Sequence, residues 1–154
     1  MVPTEHEEQA ALAQSDVAKY IAERTGEVSA MKLQKLMYYA QAWHLVWEEA
    51  PLFDEDFQAW ANGPVLPSLY QLHRGMFKVD AGLFASADSA RVSELQRQNI
   101  DRVLAFYGDQ TAQWLSNLTH QEDPWKQARG ETPSGSPSTA VISQAAMHEY
   151  YSAL

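Results

Sequence analysis

Residues 29–65 read SAMKLQKLMYYAQAWHLVWEEAPLFDEDFQAWANGPV, and this stretch decides the fold. Ser29 is a good helix N-cap, and after it Leu33, Leu36, Met37, Ala40, His44 and Trp47 fall on one stripe at spacings of three and four. A second stripe, Leu36, Tyr39, Trp43 and Val46, runs beside the first. An apolar arc this wide belongs to a helix packed on more than one side, so the pattern predicts a central buried helix from Ser29 to Trp47. Pro51 ends it. Phe57, Gln58, Ala59 and Trp60 then alternate apolar with polar or partly polar, which predicts a short strand followed by an Asn62-Gly63-Pro64 turn.

Working outward, Ser15 caps a short first helix carrying Val17, Ala18, Tyr20 and Ile21 to a stop at Gly26. Residues 1–14 are polar and expected to be a flexible N-terminus. On the other side, Pro67 opens a short helix with Leu69, Tyr70 and Leu72 that ends at Gly75. From Met76 to Ala90 the pattern dissolves into a surface loop. Ser93 with Gln96 forms a capping box for a helix through Leu95, Ile100, Val103, Leu104 and Phe106, ending near Gly108. Another helix starts at Asp109 or Thr111 and carries Trp114, Leu115 and Leu118, and Pro124 opens a further turn through Trp125 and Ala128. GETPSGSPST, residues 130–139, reads as a flexible loop, and Thr139 to Tyr150 as a terminal helix. The expectation is one mainly α domain over residues 15–154: five to seven helices around one central buried helix, with a small extended or β element.

The 154 residues contain 45% apolar and 11% aromatic side chains, enough for one core and incompatible with a disordered chain. No cysteine is present, which excludes disulfides, thiolate metal sites and a sulfur nucleophile. No window approaches the roughly 18 apolar residues that a membrane span needs, so a cytoplasmic protein without membrane contact is expected. Twenty acidic against eleven basic residues give a formal charge of −9, which repels phosphate backbones and favours basic partners. Nucleic-acid binding by this chain alone is not expected.

At KLQKLMYYAQAWHLVWEEAPLFDEDFQAWANGPVLPSLYQLHRG, residues 32–75, the sequence resembles the Panacea antitoxin domain, a phage-associated family of toxin–antitoxin pairs. The elements that carry the resemblance are Lys32, Leu33, Lys35, Leu36, Tyr38, Tyr39, Ala40 and Trp43, then Pro51, Leu52, Phe53, Ala59, Trp60, Gly63, Pro64 and Val65. LTHQEDPWKQAR is similar to the family's threonine-histidine and proline-tryptophan segment through Thr119, His120, Pro124, Trp125 and Ala128. Asn62 departs from the pattern, since an aromatic is common there. The resemblance implies an antitoxin that binds a cognate protein toxin, encoded by the adjacent gene, and blocks it directly. It implies no enzyme activity and no cofactor.

Weighed residue by residue, Lys32, Leu33, Lys35, Leu36, Tyr39, Trp43 and His44 read as structural. The apolar members are core, His44 is a neutral imidazole bonded to a backbone carbonyl, and Lys32 and Lys35 are solvated charges flanking the helix start. Gly63 supplies a backbone conformation closed to side chains. Trp60, Asn62, Gly63, Pro64, Val65 and Tyr70, with His120, Asp123 and Trp125, are the candidate partner-binding residues, as a rigid loop beside an exposed aromatic is what an interface anchor looks like. Asp54, Glu55 and Asp56, with Glu48 and Glu49, read as an exposed acidic turn, and His120 with Asp123 is only a weak metal pair. No phosphate-binding loop, HExxH or nucleophile elbow occurs, so no catalytic or metal site is assigned. A DNA-binding prophage regulator fits less well, because the helix after GEVSA is too apolar and the chain too acidic, whereas a proteolytic adaptor fits the same residues as a direct blocker. An adaptor delivering a toxin to a protease would add a second docking segment, for which the N-terminus or residues 130–139 are candidates.

Overall fold

The Ser29 hydroxyl accepts from the Lys32 N–H at 3.1 Å, so the central helix starts where its cap predicts. The computed structural model describes residues 12–154. In chain order these form α1 (Gln14–Thr25), β1 (Val28–Ser29), α2 (Ala30–Glu48), β2 (Phe57–Trp60), β3 (Gly63–Val65), α3 (Pro67–His73) and β4 (Lys78–Val79). After two 3₁₀ turns, Ala81–Phe84 and Ser89–Arg91, come α4 (Glu94–Tyr107), α5 (Ala112–Gln121), α6 (Asp123–Arg129), β5 (Val141–Ile142) and α7 (Gln144–Ser152). The expected mainly α domain with a small β element is what forms, with seven α-helices among the described residues.

Every residue from Leu33 to Ala42 is buried, because α1, α4, α5, α7 and β3 all pack on α2. Burying each large apolar side chain there contributes roughly 1.5–3 kcal/mol. No face of that segment is left to enter a DNA groove. His44 behaves as its apolar setting dictates: Nδ1 lies 2.7 Å from the Ala50 carbonyl, and burial pushes its pKa down. At the exposed end of α2, Trp43 donates its indole N–H to the Tyr107 hydroxyl at 2.9 Å.

Differences from the sequence reading are local. The first helix opens at Gln14, with Ala13 rather than Ser15 as the N-cap, after the Leu12 N–H has bonded the Leu52 carbonyl at 2.7 Å. The expectation of a flexible stretch over 1–14 otherwise falls outside the described residues. Gly63 and Pro64 are not in the turn: Trp60 pairs with Gly63 and Gln58 with Val65, so the hairpin loop is Ala61-Asn62 and Gly63 begins β3. Val141 and Ile142 are β5, antiparallel to β2 in the sheet order β3-β2-β5, and the terminal helix starts only after Ser143, which accepts from the Ala146 N–H. Two apolar residues next to an open strand edge gain more from pairing there than from extending a helix. Similarly, the loop over 76–90 contains β4, which pairs with β1.

A buried carboxylate holds the terminal helix. Glu122 accepts hydroxyl bonds from Tyr39 of α2 at 2.7 Å and from Tyr151 of α7 at 2.6 Å, and Tyr151 lies 3.1 Å from the Tyr38 hydroxyl. Burial pushes the Glu122 pKa up, opposed by these two donors.

Candidate functional site

β2 and β3 bring Trp60 against Tyr70 of α3, edge to face with ring centroids 5.0 Å apart, and Tyr70 stands in the same way against His73 at 5.4 Å. These rings wall a groove of about 690 Å³ that is also lined by Met31 and Gln34 of α2, by Asn62 and Val65, by Met76 and Phe77, and by Pro137 to Thr139. Phe77 is 78% exposed, and Met31 and Met76 are exposed as well. The groove is thus open and apolar, with polar groups converging at its floor. There, Gln34 bonds the Leu66 N–H and carbonyl and meets His73 Nε2 at 3.0 Å.

Lys35 corrects the sequence reading most sharply. It is not a solvated flanking charge but has no exposed surface, and it lies beneath the hairpin with Nζ 3.2 Å from the Pro64 carbonyl and 3.3 Å from Met31 Sδ. Burial alone lowers its pKa to about 7. Position explains the burial, because Lys35 stands four residues before Tyr39 on the same face as the second apolar stripe. Lys32 keeps more of its solvent and donates to the Gly108 carbonyl at 2.6 Å. The lysine also crowds position 63, where the backbone already favours glycine. Besides a φ of 120°, a β-carbon there would lie 2.5 Å from Lys35 Cε and 3.0 Å from Thr119 Oγ1.

Behind β2 stands a basic, aromatic layer. Trp125 donates its indole N–H to the Trp60 carbonyl at 2.9 Å, and His120 stacks on Trp125 with centroids 4.1 Å apart. Burial, then Lys35 and Arg129, hold His120 below the usual imidazole pKa. The buried Arg129 guanidinium lies over the Trp125 ring and donates to the carbonyls of Ala59, Pro133 and Ser136. It therefore ties residues 130–139, one wall of the groove, to the strand.

The nine candidate partner residues fall into two groups. Trp60, Asn62, Val65 and Tyr70 meet in the groove. Gly63, Pro64 and Trp125 are buried behind it, while His120 and Asp123 are partly buried on α5 and α6, where Asp123 approaches Lys126 at 4.0 Å. Met31, Gln34, His73, Phe77 and Arg129 went unread in the sequence, since only the hairpin and the β1–β4 pairing, with the Ala30 N–H bonded to the Phe77 carbonyl, bring their segments together; the exposed Met76-Phe77 pair in a polar loop was the one available signal. Among the described residues, no group of three His, Asp or Glu side chains is placed to hold a metal, and no helix is long and apolar enough to cross a membrane.

The core lysine, the glycine it crowds and the proline-tryptophan layer all lie within residues 33–126, and over this span the chain matches the family described as Antitoxin SocA-like, Panacea domain. The chain belongs to that family. Outside the matched span stand α1, β1, β5 and α7, together with Arg129. A curated relative is Antitoxin SocA of Caulobacter vibrioides (strain NA1000 / CB15N), 31% identical over 110 residues, which span 64% of this chain and 58% of that protein. The Panacea chain thus matches less than two thirds of that relative's length. No solved structure matches it.

Proposed function

We propose that this chain is the antitoxin of a bacterial toxin–antitoxin pair, and that it acts in the cytoplasm by seating part of a cognate protein toxin in the groove between Trp60, Tyr70 and Phe77. The observation that carries the reading is convergence: Trp60, Asn62, Val65 and Tyr70, singled out in the sequence as an interface, share one open apolar cavity of about 690 Å³. Phe77 is exposed and Trp60 and Tyr70 are half-buried, and such aromatics around a concave apolar surface are the residues that dominate protein–protein binding energy. Neutralisation on this reading is stoichiometric and non-enzymatic: the bound antitoxin covers the toxin or holds it inactive. The formal charge of −9 favours a basic toxin during encounter.

Co-expression tests it. The product of the adjacent gene should arrest growth when expressed alone, be neutralised by this chain and co-purify with it, and Trp60→Ala with Tyr70→Ala should abolish both effects without unfolding the antitoxin. A harmless neighbour would remove the reading, and full neutralisation by the groove variant would move the interface elsewhere.

A further inference from the structure

The groove breaks the charge pattern of its own protein. The chain has twenty Asp and Glu against eleven Lys and Arg, yet among the described residues no Asp or Glu lines this cavity. Apart from Tyr70 in its wall, the ionisable groups named in and behind its floor are bases: His73 on α3, Lys35 on α2, His120 on α5 and Arg129 on α6. His120 Nε2 is buried without a hydrogen-bond partner, and Lys35 is the member whose partners are incomplete. An ammonium has three donors, and the described residues offer it one carbonyl oxygen and one thioether sulfur, with no carboxylate paired to it. The sulfur is the weak one and belongs to Met31, a flexible side chain that lines the groove and is itself exposed. Met31 is therefore in contact with both the cavity and the buried amine.

Resting on the docking reading above, we infer that the groove receives an apolar segment of the toxin bearing a carboxylate, a side chain or the chain terminus, which displaces the Met31 sulfur and pairs with Lys35. Burial has brought the amine close to losing its proton at neutral pH, and an incoming carboxylate restores the charged form by supplying the missing acceptor. His73 and His120, the titratable groups facing it from the adjacent helices, are bases and cannot fill that place. The overall charge of −9 steers a basic toxin over long distances, and the local absence of carboxylates selects an acidic contact at short range.

Phenylacetate and phenylacetamide are matched probes, alike except for the carboxylate. Titrated into the full chain and followed by the NMR methyl signals of Met31 and Met76, phenylacetate should bind roughly tenfold or more tightly, as expected for a charge-assisted bond. The preference should vanish in Lys35→Met. Should that variant fail to fold, the Lys35 Cε resonance of the unaltered chain decides, since it must move to its ammonium position with phenylacetate and stay put with phenylacetamide. Phenylacetate should also displace the toxin. Equal binding of both probes, no shift at Met31, a preference that survives Lys35→Met, or phenylacetate binding without toxin displacement would each overturn the inference. Failure of the docking reading shows separately, as a toxin neutralised normally by the Trp60→Ala, Tyr70→Ala chain.

Discussion

Lys35 and Gly63 occupy one space: a β-carbon on Gly63 would stand 2.5 Å from Lys35 Cε, so a buried lysine on α2 adds to the positive φ in favouring the glycine that opens β3, 28 positions later. Gly63→Ala should therefore lower stability by about 1–3 kcal/mol through overpacking, added to strain at a φ of 120°. With Lys35→Ala already in place only the strain and the 3.0 Å approach to Thr119 Oγ1 remain. A double-mutant cycle by urea unfolding should show the two changes costing less together than the sum of each alone, by about 1 kcal/mol or more. Additive losses would mean that the contact plays no part in fixing the glycine.

Lys35 also sets a pH dependence. Its folded pKa is lowered from 10.5 to about 7, so between these values the unfolded chain binds the additional proton. Stability then rises with pH from about 7 towards 10.5, and this contribution is lost as pH falls back to the folded pKa. The slope has a ceiling of about 1.4 kcal/mol per pH unit. Lys35→Met should flatten the curve above neutrality, measured by denaturant unfolding below the range where tyrosines ionise. An unchanged slope would show the amine to be hydrated when folded.

Tyr151→Phe should lower stability by roughly 1–3 kcal/mol, because it deletes a 2.6 Å donor to buried Glu122 and leaves the carboxylate with only Tyr39. Glu122→Gln keeps the shape, removes the charge and should be nearly neutral. Calorimetry of both variants checks this, and a larger loss from Glu122→Gln than from Tyr151→Phe would contradict the assigned roles.

Trp60→Ala separates anchoring from packing. The ring is half-buried, meets Tyr70 edge to face and donates its N–H to the Gln58 side chain at 2.8 Å, so truncation should leave a folded chain while toxin affinity falls by about 2 kcal/mol or more. Titration calorimetry against the neutralised toxin measures it. Unchanged affinity beside a stability loss of roughly 3–5 kcal/mol would make Trp60 a core residue instead.

The helices were legible because their signals are local. Ser29, the Ser93 and Gln96 capping box, Thr111 and Pro67 all open helices as their chemistry predicts. Misreadings arose where a distant segment decides. Val141 and Ile142 look helical until β2 offers them an edge, and Lys35 looks solvated until the hairpin closes over it. Of the sixteen residues that line the groove, the sequence singled out four, Trp60, Asn62, Val65 and Tyr70; the other twelve, from Ser29 to Thr139, join them only in three dimensions.

Arg129 grips residues 133 and 136 by their carbonyl oxygens alone, and every amino acid has one. Gly130 and Gly135, at φ of 57° and 90°, constrain the path of that wall, and Ser138 caps the Ala140 N–H. The remaining side chains there are released from any duty to the fold. Substitutions across the wall can therefore accumulate without loss of its shape, which lets a lineage retune what the groove accepts while leaving its core untouched.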